Sequence, residues 1–320
     1  FEQGRHCVID HGQLVYEGEH IIYVGTRYDG HVDQIIEAPD SVLAPGFIDT
    51  HVHSGHRALH KLLADGGRPA LFGQPYMDVT IARQGTQIRG YPNYLDQEQA
   101  AKDPGIALHA AFTAAELLRN GVTTFVELGG HVLVQEALWA QCEELGIRGY
   151  LGPGYDSGRW QSDDKGQLER IPYPDQGEQL FQDALAFIRR AQAHESDLIH
   201  GILVPREIEN CSLDLLRQTV RAADELNLPM ATHAGYNVIE FMETVREHGL
   251  TPIELLNHVG MLRPTLNIGH ANLISNNPKM NYSGGDDLGL MGQKKVSISH
   301  CPVNIVRRAR TLDNWKAYRQ

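Results

Sequence analysis

The 320-residue sequence predicts an α/β fold: a (β/α)8 TIM-type barrel lacking its last unit, with a small β-sandwich-like domain from the N-terminal segment. Three observations predict it. Apolar runs of strand length recur along the chain, each separated from the next by a stretch with helical apolar spacing. Gly or Asn stops these helical stretches and hairpin signals are missing between the strands, so crossovers must join strands that run parallel. No Gly-x-Gly-x-x-Gly follows any of the strands, which counts against a doubly wound open sheet, the competing architecture.

Taken in order, residues 1–40 alternate short apolar runs (Cys7-Val8-Ile9, Leu14-Val15, Ile21-Ile22-Tyr23-Val24) with Gly and Asp turns, and read as a small partial β domain ending at residue 44. The barrel is expected over 45–320. Its first strand ends in Thr50-His51-Val52-His53, and a strand's period of two points both imidazoles to one side. Residues 56–104 show no clear periodicity and read as a covering loop, with His56, His60, Gln74 and Tyr76 as pocket candidates. Then a helix over 106–119 stopped by Asn120-Gly121 leads to a strand over 122–128, and a helix over 132–145 stopped by Gly146 leads to a strand over 147–151. A loop rich in Gly, Asp and Pro fills 152–176, followed by a helix over 177–194 and a strand over 198–204. Asn210-Cys211-Ser212 caps a helix over 213–226, whose Leu215, Leu216, Thr219, Val220 and Ala223 form one stripe. The strand over 228–232 ends in His233; after a helix over 238–248 and a shorter one from Ile253, the strands 265–269 and 295–299 end in His270 and His300.

Composition bounds what such a chain does. Hydrophobic residues at 42% and charged residues at 21% describe an ordinary globular protein, and no apolar run is long enough to span a membrane. The formal charge of −12, interrupted by one basic run, Arg307-Arg308-Ala309-Arg310, read as a solvated helix face, speaks against a nucleic-acid partner. Four cysteines without a Cys-x-x-Cys fit reduced thiols and a cytoplasmic location. The chain opens at Phe1 without Met, inside what reads as a strand, which is consistent with a preceding segment.

With 17 histidines, one His-x-His is expected by chance, so that motif alone carries almost nothing. The weight comes from strand ends. In a barrel they surround one mouth, where His51, His53 and His233 can converge to the roughly 2.0–2.2 Å ligand distances that zinc requires.

Pro45-Gly46-Phe47-Ile48-Asp49-Thr50-His51-Val52-His53, Gly121-Val122-Thr123-Thr124, Thr232-His233-Ala234, Gly269-His270-Ala271 and Ser299-His300-Cys301-Pro302 together resemble the amidohydrolase superfamily, in its chlorohydrolase and nucleobase-deaminase branch, over nearly the whole chain. The resemblance implies that His51, His53 and His233 bind metal and that His270 holds the attacking water or the substrate as a catalytic residue. It further implies an Asp ligand after the eighth strand; the sequence stops at Gln320 before that strand, so the expectation is a fragment, or a chain not competent by itself. No lysine stands at Leu203-Val204-Pro205-Arg206-Glu207, where two-metal members carry a bridging group, so one metal is expected, with Glu207 as a minor alternative. Deaminases of this branch place a glutamate three residues after the fifth-strand histidine. Here that residue is Tyr236, whose phenol titrates near ~10 and cannot take the role at neutral pH.

The implied activity is hydrolysis of a non-peptide C–N bond in a small polar or heterocyclic substrate through a metal-activated water. One divalent ion serves, zinc foremost, with iron and manganese compatible with imidazole. Tyr236 and Asn237 are candidate substrate-binding residues, Asn237 equally a helix cap; His300 and Cys301 read as structural. The alternatives are hydrolytic dechlorination or N-dealkylation of a triazine-like ring, and a catalytically silent barrel protein. The partner is a small molecule, with no nucleic acid, no membrane, and self-association left open.

Overall fold

A computed structural model describes residues 7–54, 82–83, 103–162, 168–307 and 315–318. The chain divides into two compact units, Phe1–Pro45 and Gly46–Gln320.

In the first unit β1 (Gln13–Glu17) and β2 (His20–Gly25) form an antiparallel hairpin with Glu17 opposite His20. Gly18 turns the corner at φ 58°, a conformation glycine adopts without strain. The strand expected around Cys7-Val8-Ile9 does not form, since so short an apolar run finds no partner among the described residues.

The second unit carries the alternation. After β3 (Phe47–Val52) and the short β4 (Ala82–Arg83) come α1 (Gly105–Arg119), β5 (Val122–Glu127), α2 (Val132–Leu145), β6 (Arg148–Leu151) and β7 (Gly154–Tyr155). The hairpin β8 (Gly158–Ser162) and β9 (Leu168–Pro172) precedes α3 (Glu178–Gln192), β10 (Ile199–Gly201), β11 (Val204–Pro205) and α4 (Leu213–Leu226). Then follow β12 (Met230–Ala234), α5 (Val238–His248), α6 (Pro252–His258), β13 (Leu266–His270), α7 (Asp287–Lys294), β14 (Ser297–Ser299), α8 (Pro302–Arg307) and α9 (Trp315–Tyr318).

Pairing follows chain order. β3, β5, β6 and β10 are parallel neighbours, β11 lies parallel to β7, and bridges from Leu203 to Met230 and Glu207 to His233 lead to the parallel set β12–β13–β14. Between β3 and the pair β13 and β14 the links run through side chains. Thr50 Oγ1 lies 2.7 Å from Ser299 Oγ, and the Thr50 carbonyl accepts from Asn267 Nδ2 at 2.9 Å.

Helix ends explain where each unit stops. Ser212 caps α4 through the Leu215 amide, while Gly146 and Gly249 close α2 and α5 in the left-handed conformation. The apolar stripe of α3, Phe181, Ala184, Leu185, Ile188 and Ala191, packs into the same core as Phe125, Leu138, Leu151, Leu216, Met230 and Ile268. All five residues of β12 are buried, as expected of a parallel strand covered on both faces. The stretch 152–176, expected as loop, contains β7 and the β8–β9 hairpin: Trp160 pairs with Arg170 across two strands too polar to show a clear apolar alternation. Among the described residues no helix is long and apolar enough to cross a membrane.

Candidate metal centre

β3 delivers His51, and His53 follows just beyond its end, while β12 and β13 run in a register that sets His233 beside Gly269 and Ala234 beside His270. The four imidazoles meet. His53 Nε2 lies 3.2 Å from His51 Nε2 and 3.0 Å from His233 Nε2, and His51, His233 and His270 offer ligand nitrogens all within 4.8 Å of one another. His233 and His270 are buried, the other two half-buried.

Whether a cation fits follows from the donors. His233 Nδ1 lies 2.8 Å from the Arg206 carbonyl, which can only accept; Nδ1 therefore carries the proton and Nε2 presents a lone pair. His53 Nε2 has both His51 Nε2 and His233 Nε2 within 3.2 Å, and a neutral ring nitrogen makes one in-plane hydrogen bond, as donor or as acceptor, whereas a cation accommodates all three nitrogens. Three nitrogens on a tetrahedral ion at ~2.0–2.1 Å stand roughly 3.3 Å apart, close to the two separations measured from His53. The residues could hold a metal ion.

Backbone detail keeps the space open. A Cβ on Gly269 would fall 2.8 Å from His51 Nδ1, so only glycine lets the ring pass. His270 at φ 76° and Ala271 at φ 43° occupy the left-handed region, and such strain clusters where a structure holds a side chain for function.

Around the imidazoles lies a supporting layer. The Arg206 carbonyl accepts from both Nδ1 and the amide of His233, while the Arg206 guanidinium pairs with buried Asp156. The side chain reaches Asp156 along Gly129 and Gly154, where an added Cβ would stand 2.6 and 2.5 Å from its Cγ. On the other side Glu127, at the end of β5, accepts from the Ser54 amide at 3.1 Å and so fixes the chain just past His53. Burial pushes the Glu127 carboxyl up from 4.5 to about 8, against the lowering by hydrogen bonds to Ser54 and Gly130.

A model of the Amidohydrolase family matches residues 42–317. The chain belongs to the amidohydrolase family. Among curated proteins it is 24% identical to a 5-methylthioadenosine/S-adenosylhomocysteine deaminase of Pyrococcus furiosus, covering 93% of this chain and 64% of that protein. It is 25% identical to a 5'-deoxyadenosine deaminase of Methanobrevibacter smithii, covering 93% of this chain and 59% of that protein. Among solved structures, a mutant atrazine chlorohydrolase TrzN from Arthrobacter aurescens TC1, complexed with zinc and atraton, superposes with a TM-score of 0.71 at 18% identity, over 96% of this chain and 64% of that one. Guanine deaminase from C. acetobutylicum with bound guanine superposes at 0.62 and 19% identity, over 94% of this chain and 63% of that one. These likenesses concern the fold. The chain spans 59–64% of the length of the two curated relatives named.

The other sequence candidates of this amidohydrolase fall at varied distances. The Tyr236 ring lies 5.8 Å from the ring of His233 and 6.2 Å from that of His270, and its hydroxyl donates to Glu209 Oε1 at 2.5 Å. Asn237 caps α5, accepting from the Glu240 amide at 2.7 Å, while Glu240 accepts from the amides of Gly235 and Tyr236 at 2.8 Å each. Glu207 bridges to His233 through the backbone, and its Oε2 lies 4.0 Å from Arg206 Nε. The His300 ring packs near Trp315 at 5.3 Å, and the Cys301 thiol points to the Ser299 carbonyl. His56, His60, Gln74, Tyr76 and most of the basic run at 307–310 lie outside the described residues. Sequence reading missed Glu127, Asp156, Arg206 and Glu209 as supports. Glu127 closing a strand run was the one visible signal, because the others act through contacts distant in sequence.

Proposed function

We propose that this amidohydrolase hydrolyses the bond between an exocyclic amino group and a heterocyclic carbon, with His51, His53 and His233 holding one zinc-type ion and His270 as catalytic residue. The observation that carries the reading is the convergence of the His51 and His233 Nε2 atoms to 3.2 and 3.0 Å from His53 Nε2. Relatives that deaminate adenosine-type compounds support the substrate class. When bound, the ion lowers the pKa of water from 15.7 toward roughly 7 and polarises the carbon under attack.

The chain's own groups orient the reactants. His270, held at φ 76° among the other imidazoles, orients the attacking water and the oxyanion that develops. Oxygen bonds to the ring carbon, the C–N bond breaks, and the two protons of the water end on the departing ammonia and on a ring nitrogen. The Tyr236 hydroxyl is engaged by Glu209, so the ring face of Tyr236 meets the substrate, and Asn237 holds the start of α5 that carries it. The side-chain bonds from Thr50 to Ser299 and Asn267 support a barrel of seven parallel strands over 45–320, with residues 1–44 as a small partial β domain. Buried free thiols at Cys142 and Cys211 support a reducing compartment, the cytoplasm.

Ammonia release from aminopurine nucleosides by the zinc-loaded protein tests the proposal. Turnover abolished by His270→Ala with zinc retained is the expected result. Release of chloride or alkylamine from triazines, with no ammonia from any aminopurine, would contradict it in favour of the triazine reading.

A further inference from the structure

His270 and Ala271 both occupy the left-handed region, at φ 76° and 43°. A residue other than glycine stays there only where the surrounding structure over-determines it, and two in succession need several restraints. The end of β12 supplies two of them. The Ala271 amide donates to the Ala234 carbonyl at 3.0 Å, and the Asn272 amide donates to the Gly235 carbonyl at 2.9 Å.

The peptide joining Ala271 to Asn272 is trans, so its carbonyl points away from Gly235. Ala271 has no exposed surface, and the partner of that carbonyl is a side chain 47 positions on: the Tyr318 hydroxyl donates to it at 2.5 Å. Tyr318 packs against the core, and burial, then Asp287, hold its phenol above the ordinary range, so it stays a donor. The helix that carries it, α9, also brings the Trp315 ring to 5.3 Å from that of His300, just beyond the end of β14. α9 is thus seated on two neighbouring strand ends, and one of its side chains reaches the turn that presents His270.

We infer that Tyr318 is a positioning residue for His270. Its hydroxyl holds one end of the peptide plane that follows the strained pair while Gly235 holds the other. Together they keep the His270 ring in its place, 4.8 Å from the ring of His51 and 5.5 Å from that of His233. Without the hydroxyl a buried carbonyl lacks its donor; the plane turns to find another, and the left-handed pair is released. The role rests on the catalytic reading of His270 given above.

Tyr318→Phe removes the oxygen and leaves the ring against the core. Proton–nitrogen NMR of histidine-labelled protein, metal-free and zinc-loaded, reads the imidazoles, with the His270 signals identified by their absence from His270→Ala. In the variant the His270 signals should shift and broaden while those of His51, His53 and His233 stay, with zinc bound at the parent's stoichiometry. The kcat for ammonia release should fall about tenfold with KM changed less than about twofold. Unmoved His270 signals in a folded Tyr318→Phe variant would overturn the role, as would loss of zinc or equal broadening of all four rings, which marks general loosening. A parent that releases no ammonia, with the His270 signals still moved in the variant, contradicts the proposed reaction and leaves the positioning role standing. Should Tyr318→Phe fail to fold, the parent decides: a slowly exchanging Tyr318 hydroxyl proton with a nuclear Overhauser contact to Ala271 supports the role, and a freely exchanging one overturns it.

Discussion

At the scale of single residues, the site depends on side chains that are missing as much as on those present. Gly269 leaves the volume into which the His51 ring is placed, so Gly269→Ala forces that ring aside. Zinc affinity measured by competition with a chromophoric chelator should fall at least tenfold in this variant, whereas unchanged affinity would mean that the ring position does not matter to binding. Glu127 offers a second test through pH. Its folded value of about 8 lies above the ordinary 4.5, so between those values the folded state keeps a proton that the unfolded chain releases. Stability of the metal-free protein from this group is therefore full below about pH 4.5 and is lost as pH rises toward 8. Glu127→Gln should remove that dependence, and thermal melts at pH 5 and pH 8 should show the variant gaining on the parent at the higher pH. The four histidines were legible because strand-terminal positions can be counted from the sequence. Glycine at 269 was visible only as part of a motif, since its reason is a ring donated by a strand more than 200 positions away.

At the scale of elements, β11 and β12 act as a pair. The Arg206 carbonyl fixes which nitrogen of His233 carries a proton, and the Asp156 carboxylate holds the Arg206 side chain in its glycine-lined slot. Removing a support of this kind typically costs about 10–100-fold in metal affinity. Asp156→Ala should speed zinc dissociation by about tenfold with the histidines intact; an unchanged off-rate would limit Asp156 to packing. The helix–strand alternation could be read because apolar spacing switches between periods of about four and two, and because Gly146 and Gly249 stop their helices. The β8–β9 hairpin could not. Its strands hold Arg159, Trp160, Glu169 and Arg170, with no apolar face to betray them, and its pairing is stabilised partly by the bond from Arg170 to Glu209, which is remote in sequence.

At the scale of the molecule, burial is unevenly shared. β12 is buried throughout, whereas β1 and β2 are mostly exposed, with Ile21 and Val24 more than half accessible. Amide exchange should therefore be fastest in the β1–β2 hairpin and slowest in β12 and β13, by several orders of magnitude; equal protection would contradict the division into separate units. Everything proposed for catalysis returns to one property of the larger unit, that strands distant in sequence bring their nitrogens around a common point. Metal analysis of the purified protein measures that directly. The parent should carry about one equivalent of a divalent transition metal, His53→Ala and His233→Ala should carry almost none, and His270→Ala should keep it. A parent that cannot be loaded with metal, or a folded His53→Ala variant that holds it as tightly, would contradict the account.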